Sequence, residues 1–408
     1  MLKEVEQAPS PLDDPGMLDN PYPLYEQIRS TDPVHWWDAL KVWVLTRYAD
    51  VVAALHDPLM STERILPELE GLPPAQREAQ RPQYESLARQ MAFVDPPEHT
   101  RLRSLVNKAF TPRAVEALRP RVQQIVDDLL DAVQAQGEMD AIRDLAYPLP
   151  TTVIASMFGC PPEDHLRLKK WSNDFAQLFD VRELTPEESA ERMRNLDEFT
   201  DYFRYHASER RKNPKDDIMS ALVAAEEQGE KLNAEELYAN CVLIVFAGHE
   251  TTTNLIGNGL LALLRHPDQM QMLKDDPSLI PGAVEEMLRY DSPVQFAGRM
   301  AKEDIELGGK RILKGQNVLQ VLGSANRDPE RFPEPDRFDI TRRDNRHVAF
   351  GYSAHFCLGA PLARQEGQIA FTTMLRRMPN LRLLDENPPR RENLSLRGLK
   401  SLPVAFEA

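Results

Sequence analysis

A single cysteine, placed between a glycine-bearing turn and a proline-initiated helix, restricts this chain more than any other feature. The segment runs Phe350-Gly351-Tyr352-Ser353-Ala354-His355-Phe356-Cys357-Leu358-Gly359-Ala360-Pro361. Its small residues predict a short hairpin that orients the sulfur of Cys357, and Pro361 predicts the first turn of a helix. The helix dipole and free backbone N–H groups favour a thiolate, and Gly359 permits close approach of a flat group to the backbone.

A lone cysteine is more often a buried packing residue than a ligand. Here its neighbours favour the ligand. The segment resembles the ligand loop of the cytochrome P450 superfamily, the haem-thiolate monooxygenases, at five positions: Phe350, Gly351, His355, Cys357 and Gly359. Ser353 stands where that family usually has a second glycine, which predicts a slightly reshaped hairpin. The resemblance implies that Cys357 binds the iron of haem b.

Composition excludes several classes of protein. The chain has 408 residues and a formal net charge of −15, which argues against general affinity for nucleic acid or anionic membranes. Its three cysteines are odd in number and widely spaced, so they predict no disulfide framework and a reducing compartment. Cys160 and Cys241 are expected to be packing residues.

The first twenty residues are acidic and proline-bearing, without the basic start and apolar run of a signal peptide or membrane anchor. We therefore expect a cytoplasmic protein that does not enter a membrane. No interdomain linker is evident. The expectation is one domain over residues 1–408, with residues 1–19 as an extended tail, acting as a monomer.

Hydrophobic periodicity predicts a mainly α protein with small β-sheets. An alternating hairpin is predicted for Val34 to Leu45, and successive helices for Pro112 to Asn213. Ile305 to Ile312 and Asn317 to Val321 are expected to pair as strands, before a strand-rich tail over Leu381 to Phe406. The proline- and charge-rich stretch from Met60 to Met91 predicts a long binding loop with short helical pieces, or a disordered linker.

His99 and Arg103 lie four residues apart at the start of a predicted helix. This spacing puts both side chains on one face, where they can donate hydrogen bonds to one anion. A solvated surface is the commoner explanation for such a pair. The resemblance to cytochromes P450 implies that they hold the haem propionates, with Arg299 as a further partner.

The longest predicted helix starts at a capping box, Asn233-Ala234-Glu235-Glu236, and ends at His266-Pro267. Its centre interrupts the apolar pattern with Ala247-Gly248-His249-Glu250-Thr251. The Thr251 hydroxyl can bond to the Ala247 carbonyl and loosen the helix beside a ligand. Close helix packing at Gly248 with an exposed Glu250 is the alternative. The resemblance implies instead that Ala247 and Gly248 contact the cofactor, while Glu250 and Thr251 manage protons.

Glu286 and Arg289, three residues apart in a predicted helix, can pair on one face. Most such pairs are exposed and contribute little. The resemblance implies a structural network near the haem, and Arg337 is expected to be its third member.

Taken together, the resemblance implies the triangular helical prism of the family, enclosing haem b. It implies a monooxygenase that hydroxylates or epoxidises an apolar small molecule with O2, because a thiolate ligand favours O–O cleavage. Electrons would come from NAD(P)H through ferredoxin reductase and ferredoxin. A basic docking patch for ferredoxin is expected from Arg101, Arg103, Lys108, Arg113, Arg342, Arg343 and Arg346.

Two alternatives use the same scaffold. A peroxide-driven peroxygenase would consume hydrogen peroxide without a reductase, although the acid–threonine pair disfavours it. A non-catalytic haem sensor or carrier would show a haem spectrum without substrate-dependent NAD(P)H consumption.

The walls of the substrate pocket are expected to come from Met91 to Phe93, Phe175 to Phe179, Leu243 with Phe246, and Val294 to Phe296.

Overall fold

A computed structural model describes residues 10–178, 185–227 and 232–407 of the chain. The α-helices within these residues are α1 (Tyr22–Thr31), α2 (Tyr48–His56), α3 (Ile65–Glu70), α4 (Pro74–Ala88), α5 (Glu98–Val106), α6 (Pro112–Ala117), α7 (Arg119–Gln134), α8 (Pro148–Met157), α9 (His165–Gln177), α10 (Pro186–Lys212), α11 (Ile218–Glu227), α12 (Ala234–Arg265), α13 (Pro267–Asp275), α14 (Ile280–Tyr290), α15 (Leu322–Ala325) and α16 (Ala360–Arg377). The mainly α prediction is confirmed.

Ten short strands accompany these helices in the described residues: β1 (Val34–Trp37), β2 (Val42–Leu45), β3 (Met60–Ser61), β4 (Glu138–Asp140), β5 (Phe296–Ala301), β6 (Ile305–Leu307), β7 (Lys310–Ile312), β8 (Asn317–Val321), β9 (Arg382–Leu383) and β10 (Pro403–Ala405). They form a five-stranded sheet of order β1-β2-β8-β5-β3, a three-stranded sheet of order β4-β10-β9, and the hairpin β6-β7. The predicted hairpin β1-β2 is antiparallel, with Val34 opposite Leu45.

Helix α12 is the central element of the fold. Its predicted start is confirmed, since the Glu236 backbone N–H donates to Asn233 Oδ1 at 2.9 Å and the Asn233 N–H donates to Glu236 Oε2 at 3.0 Å. Its 32 residues span about 48 Å. Most of them are buried, as expected of a helix packed on all sides, here by α8, α9, α10, α14 and α16. A Cβ at Gly259 would lie 2.7 Å from Met287 Sδ, so this glycine lets α14 approach α12 closely.

The stretch from Met60 to Met91 is mostly helical, so the prediction of a long loop is wrong. Strand β3 is followed by α3 and by the fifteen-residue helix α4. Leu87 is the only residue of α4 that is buried, which explains why the sequence carries no apolar period there. Its Ala, Glu, Gln and Arg residues nevertheless have high helix propensity.

The described part of the N-terminal segment is not an extended tail. Ser10 caps a short 3-10 turn at Pro11–Asp13, and a second turn covers Pro15–Met17. Leu12 and Met17 are buried against the sheet and α1. The expectation for the first nine residues lies outside the described residues.

Strand pairing near the C-terminal third also differs from expectation. β6 pairs with β7, whereas β8 lies between β2 and β5 in the large sheet. The tail after Leu381 contains only β9 and β10 as strands up to residue 407. No helix in the described ranges has both the length and the apolarity needed to cross a bilayer.

The ion pair between Glu285 of α14 and Arg364 of α16 makes the junction of these helices acid-sensitive. Burial raises the pKa of Glu285, but hydrogen bonds from Arg364 and His347 outweigh it and lower the pKa to about 2. The folded-state pKa is thus below the ordinary value of 4.5. The stabilisation is present above pH 4.5 and is lost as the pH falls toward 2.

We expect Glu285→Gln to lower the free energy of unfolding at pH 7 by on the order of 1–2 kcal/mol, a value discounted for partial exposure. Urea titrations from pH 7 to pH 3 should show this difference shrinking as the pH falls below 4.5. Glu209→Gln, which breaks the exposed pair with Lys212, is the control and should change stability little. A difference that grew with acid would contradict the assignment.

Candidate functional site

The segment from Phe350 to Gly359 forms the predicted hairpin. The Cys357 backbone N–H donates to the Phe350 carbonyl at 2.9 Å, and Gly351 turns the chain with φ of +70°. Helix α16 begins three residues after the cysteine, with Pro361 in its first turn. The hairpin therefore presents the Cys357 thiol beside the helix N-terminus.

The pKa of Cys357 is set by two opposed effects. Burial raises it, while backbone N–H groups of Gly359 and Ala360 and the charge of Arg103 lower it. The net pKa lies above the ordinary thiol value, because burial outweighs the backbone N–H groups of the helix start, which lower the pKa as predicted. A cation at Sγ would supply the missing stabilisation, since metal coordination deprotonates a thiol.

A cluster of nitrogen donors lies at one edge of the same cavity. His99 and Arg103 of α5 share the predicted face, and the His99 ring lies 4.0 Å from the His355 ring, centroid to centroid. Arg103 donates to the Ala354 carbonyl at 3.0 Å, and Arg299 of β5 donates to the Gly298 carbonyl at 2.8 Å. Across the described ranges, neither arginine has a carboxylate within ion-pair distance.

His99, Arg103, Arg299 and His355 form a cationic edge whose charge is carried by the two arginines. Burial also explains the protonation of this edge. It lowers the pKa of His355 to about 3, helped by the nearby His99 and Arg299, so this ring is neutral at pH 7. It lowers the pKa of Arg299 to about 10, aided by the charge of Arg64. Arginine remains charged at neutral pH, so the edge suits an anion.

The opposite wall is the centre of α12. The Thr251 hydroxyl donates to the Ala247 carbonyl at 3.0 Å, as the sequence predicts. Thr252 and Thr253 donate to the Gly248 and His249 carbonyls in the same way. Three consecutive hydroxyls thus bond back to the helix where it passes the cavity.

The cavity between α12 and the hairpin has a volume of about 400 Å³. It brings together eleven of the twelve predicted site residues, which are His99, Arg103, Ala247, Gly248, Thr251, Arg299, Phe350, Gly351, His355, Cys357 and Gly359. Of the predicted pocket walls, Met91, Leu243 and Val294 line it, whereas Phe175, Phe246 and Phe296 do not. Phe179 lies outside the described residues. Leu55 and Ala297 also line the cavity and were missed.

Glu250 is the predicted site residue that does not line the cavity. It is buried, and its carboxylate contacts the Arg391 guanidinium and lies 3.3 Å from His249 Nε2. Burial raises the pKa of Glu250, against the charges of Arg391 and Lys169. His249 Nδ1 is 2.9 Å from Ser172 Oγ, and burial lowers the pKa of this imidazole to about 3. The Glu250 carboxylate therefore faces the C-terminal segment, where the Arg391 side chain is about a quarter exposed.

The third member of the buried Glu286–Arg289 pair is not the predicted residue. Arg289 donates to both carboxylate oxygens of Glu286 at 2.8 Å, and both side chains are fully buried. Arg342 approaches Glu286 at 3.3 Å, whereas the Arg337 side chain is exposed and pairs with Glu334. Arg337 contributes only its carbonyl, which accepts from Arg289.

Comparison with known proteins decides the family. The family model for cytochrome P450 matches residues 73–403. The chain belongs to the cytochrome P450 family. It is 46% identical over 375 residues to a cytochrome P450 of Priestia megaterium, covering 89% of each chain. A vitamin D(3) 25-hydroxylase of Pseudonocardia autotrophica is 42% identical, with 95% of this chain and 94% of the relative covered.

Solved structures of other P450s confirm the fold. The crystal structure of P450BioI, in complex with acyl carrier protein ligated to hexadec-9Z-enoic acid, superposes on this P450 with a TM-score of 0.90. The two share 40% identity over 96% of this chain and 99% of that one. A myxobacterial cytochrome P450 in complex with myristic acid gives a TM-score of 0.89 at 41% identity, over 98% and 100%. This P450 is thus a monooxygenase of the triangular-prism fold.

Family membership implies haem, and the residues of the cavity fit it. A mainly apolar cavity lies between α12 and the hairpin, a thiol lines one side, and the cationic edge lacks carboxylate partners of its own within the described structure. These features match an iron porphyrin that carries two propionates. When bound, haem supplies the activation of O2.

Proposed function

We propose that this P450 oxidises an apolar small molecule, with Cys357 as the iron ligand. The observation that carries the proposal is the arrangement of Cys357 and Thr251 on opposite walls of one cavity whose edge is cationic. His99, Arg103, Arg299 and His355 would hold the two propionates by charge and hydrogen bonds. Phe350, Gly351, Ala247, Gly248 and Gly359 would contact the flat faces of the macrocycle.

Side chains of the cavity wall support an apolar substrate. Met91, Leu243, Ile244, Val294 and Ala297 offer no hydrogen-bonding group beyond the backbone. Relatives point the same way: one is a vitamin D(3) 25-hydroxylase, and the solved structures of two others contain myristic acid or testosterone. Such ligands bury large apolar surfaces in a pocket that excludes water.

The chain's own proton donors have distinct parts in the proposed reaction. The Thr251 hydroxyl lies in the cavity and can accept or donate a hydrogen bond there, while its bond to the Ala247 carbonyl fixes its position. Glu250 is the next residue toward the buried side of α12, and burial raises its pKa, which favours its protonated, proton-donating form. Arg391 links Glu250 toward solvent. Protons would pass from this side of α12 to Thr251.

Electrons are proposed to come from NAD(P)H through ferredoxin reductase and ferredoxin. The expected docking patch is smaller than seven residues, because Arg101 pairs with Glu98 and Glu236 and Arg342 is engaged by Glu286. Arg113, Arg343 and Arg346 are exposed, and the last two line an open groove beside α16, where Arg346 also pairs with Asp344. The Lys108 side chain lies outside the described structure. An acidic ferredoxin would meet this groove close to Cys357.

Turnover of the purified enzyme tests the proposal. We expect a panel of sterols, fatty acids and macrolides to contain a compound that shifts the Soret band and is oxygenated with NAD(P)H, ferredoxin reductase and ferredoxin. Hydrogen peroxide alone should give little product. Efficient turnover with peroxide alone would favour a peroxygenase, and a haem spectrum without substrate-dependent NAD(P)H consumption would favour a sensor or carrier.

Thr251→Ala should separate electron consumption from product formation. Loss of the cavity hydroxyl removes the proposed proton donor, so product per NAD(P)H should fall by about a hundredfold, with the electrons recovered as hydrogen peroxide. Thr253→Ala is the matched control, because it removes an equivalent bond to the helix backbone at a buried position outside the cavity. Equal coupling in both variants would contradict the role of Thr251.

A further inference from the structure

Ser353 of the ligand hairpin has a backbone conformation that is unusual for any residue but glycine. Its backbone has φ of +61°, in the left-handed region that favours glycine. The conformation matters to the loop, because it lets the Phe356 N–H donate to the Ser353 carbonyl at 3.0 Å, next to Cys357. A serine here therefore carries a backbone strain that glycine would not.

The side chain of Ser353 has a partner that a glycine could not engage. Ser353 Oγ lies 3.1 Å from Nδ1 of His56, the last residue of α2, and the two groups form a hydrogen bond. The His56 ring also contacts the Tyr352 ring edge to face, at 6.4 Å between centroids. At the other end of α2, the Tyr48 hydroxyl donates to the Arg346 carbonyl at 2.7 Å.

Helix α2 thus connects the ligand hairpin with the cavity wall. Leu55, the neighbour of His56, lines the cavity, and Tyr48 holds the chain just before the hairpin. The hydrogen bond from His56 adds a second attachment of the chain to α2. This attachment is at Ser353, after the turn at Gly351 and four residues before Cys357. The chain that leads into Cys357 is then attached to helix α2 at two points, Arg346 and Ser353.

We propose that the His56–Ser353 hydrogen bond holds the strained hairpin in place, which makes His56 a positioning residue for Cys357. The inference rests on the proposed function only in taking Cys357 as the iron ligand. The side chain whose Cβ strains the backbone also carries the hydroxyl whose hydrogen bond offsets that strain. Loss of the bond should open the hairpin more often, by about two- to fivefold, as expected for one solvent-exposed hydrogen bond.

Amide hydrogen exchange measures this opening directly, with and without haem. The backbone N–H groups of Phe356 and Cys357 are protected by hydrogen bonds inside the hairpin. His56→Phe keeps a ring against Tyr352 but removes the hydrogen bond, and Ser353→Ala keeps the strained backbone without a hydroxyl. Both variants should exchange these two amides about two- to fivefold faster than the wild type. His56→Asn, which keeps a polar nitrogen near the position of Nδ1, should restore protection.

Ser353→Gly tests whether the hydrogen bond offsets the backbone strain. It removes both, so its exchange should lie within about twofold of the wild type, and adding His56→Phe to it should change nothing further. In haem-loaded protein, the rate of loss of the thiolate–carbon monoxide absorption on warming should follow the same order. An unchanged rate in His56→Phe, or an equal effect of His56→Phe in the Ser and Gly backgrounds, would overturn the proposal. Amide exchange in the haem-free chain does not depend on iron binding, so it tests the hydrogen bond even if Cys357 is not the iron ligand.

Discussion

Cys357→Ala should abolish the red-shifted absorption that thiolate-bound haem gives after reduction and addition of carbon monoxide. The variant removes the sulfur that faces the cavity and leaves the hairpin backbone intact, since the Cys357 N–H bond to the Phe350 carbonyl involves no side chain. Without a thiolate ligand the O–O bond is no longer cleaved productively. Substrate oxygenation should fall at least about a thousandfold.

Cys160→Ala is the matched control for this prediction. Cys160 is a free, buried cysteine like Cys241, and neither lines the cavity. Burial raises the pKa of Cys160 to about 11, so it is a neutral packing residue. The control should keep the full thiolate absorption of the wild type. If Cys357→Ala kept that absorption, another sulfur would be the ligand and the proposed function would fail at its first step.

The sequence predicts the ligand hairpin and α12 well because their determinants are local. Asn233 and Glu236 form a capping box within four residues, and His266-Pro267 ends the helix through backbone sterics. The turn at Gly351 likewise depends on its own φ angle. Such features need no knowledge of the rest of the fold, and the structure reproduces them.

Contacts between distant segments could not be predicted in the same way. Arg391 contacts Glu250 across 141 residues, and no local spacing marks it. Arg342, instead of Arg337, reaches Glu286, because the path of the chain after α15 decides which guanidinium enters the core. The helix α4 was missed for another reason. It buries only Leu87, so propensity and not apolar period determines its structure.

Breaking the Glu286–Arg289 ion pair is the second change with a large expected effect, a loss of folding stability. Glu286→Gln keeps the shape of the side chain but leaves Arg289 and Arg342 beside a neutral amide, with Arg289 fully buried. Removing one partner of a buried ion pair costs about 3–5 kcal/mol, because the remaining charge has lost its compensation. The carboxylate of Glu286 also accepts from the Asp339 backbone N–H at Oε1 and from Asn345 Nδ2 at Oε2. Because Gln keeps only one of these oxygens, the loss combines the missing charge with a missing hydrogen-bond acceptor.

Chemical denaturation should show this loss for Glu286→Gln and a change below about 1 kcal/mol for Glu334→Gln. The control breaks an ion pair of the same spacing, Glu334 with Arg337, that is exposed to solvent. A second comparison tests the correction to the predicted network: Arg342→Ala should destabilise the protein by more than Arg337→Ala. If Arg337→Ala were the more damaging, its side chain and not that of Arg342 would complete the buried network. Equal stability of Glu286→Gln and Glu334→Gln would mean that the buried pair contributes no more than a surface pair.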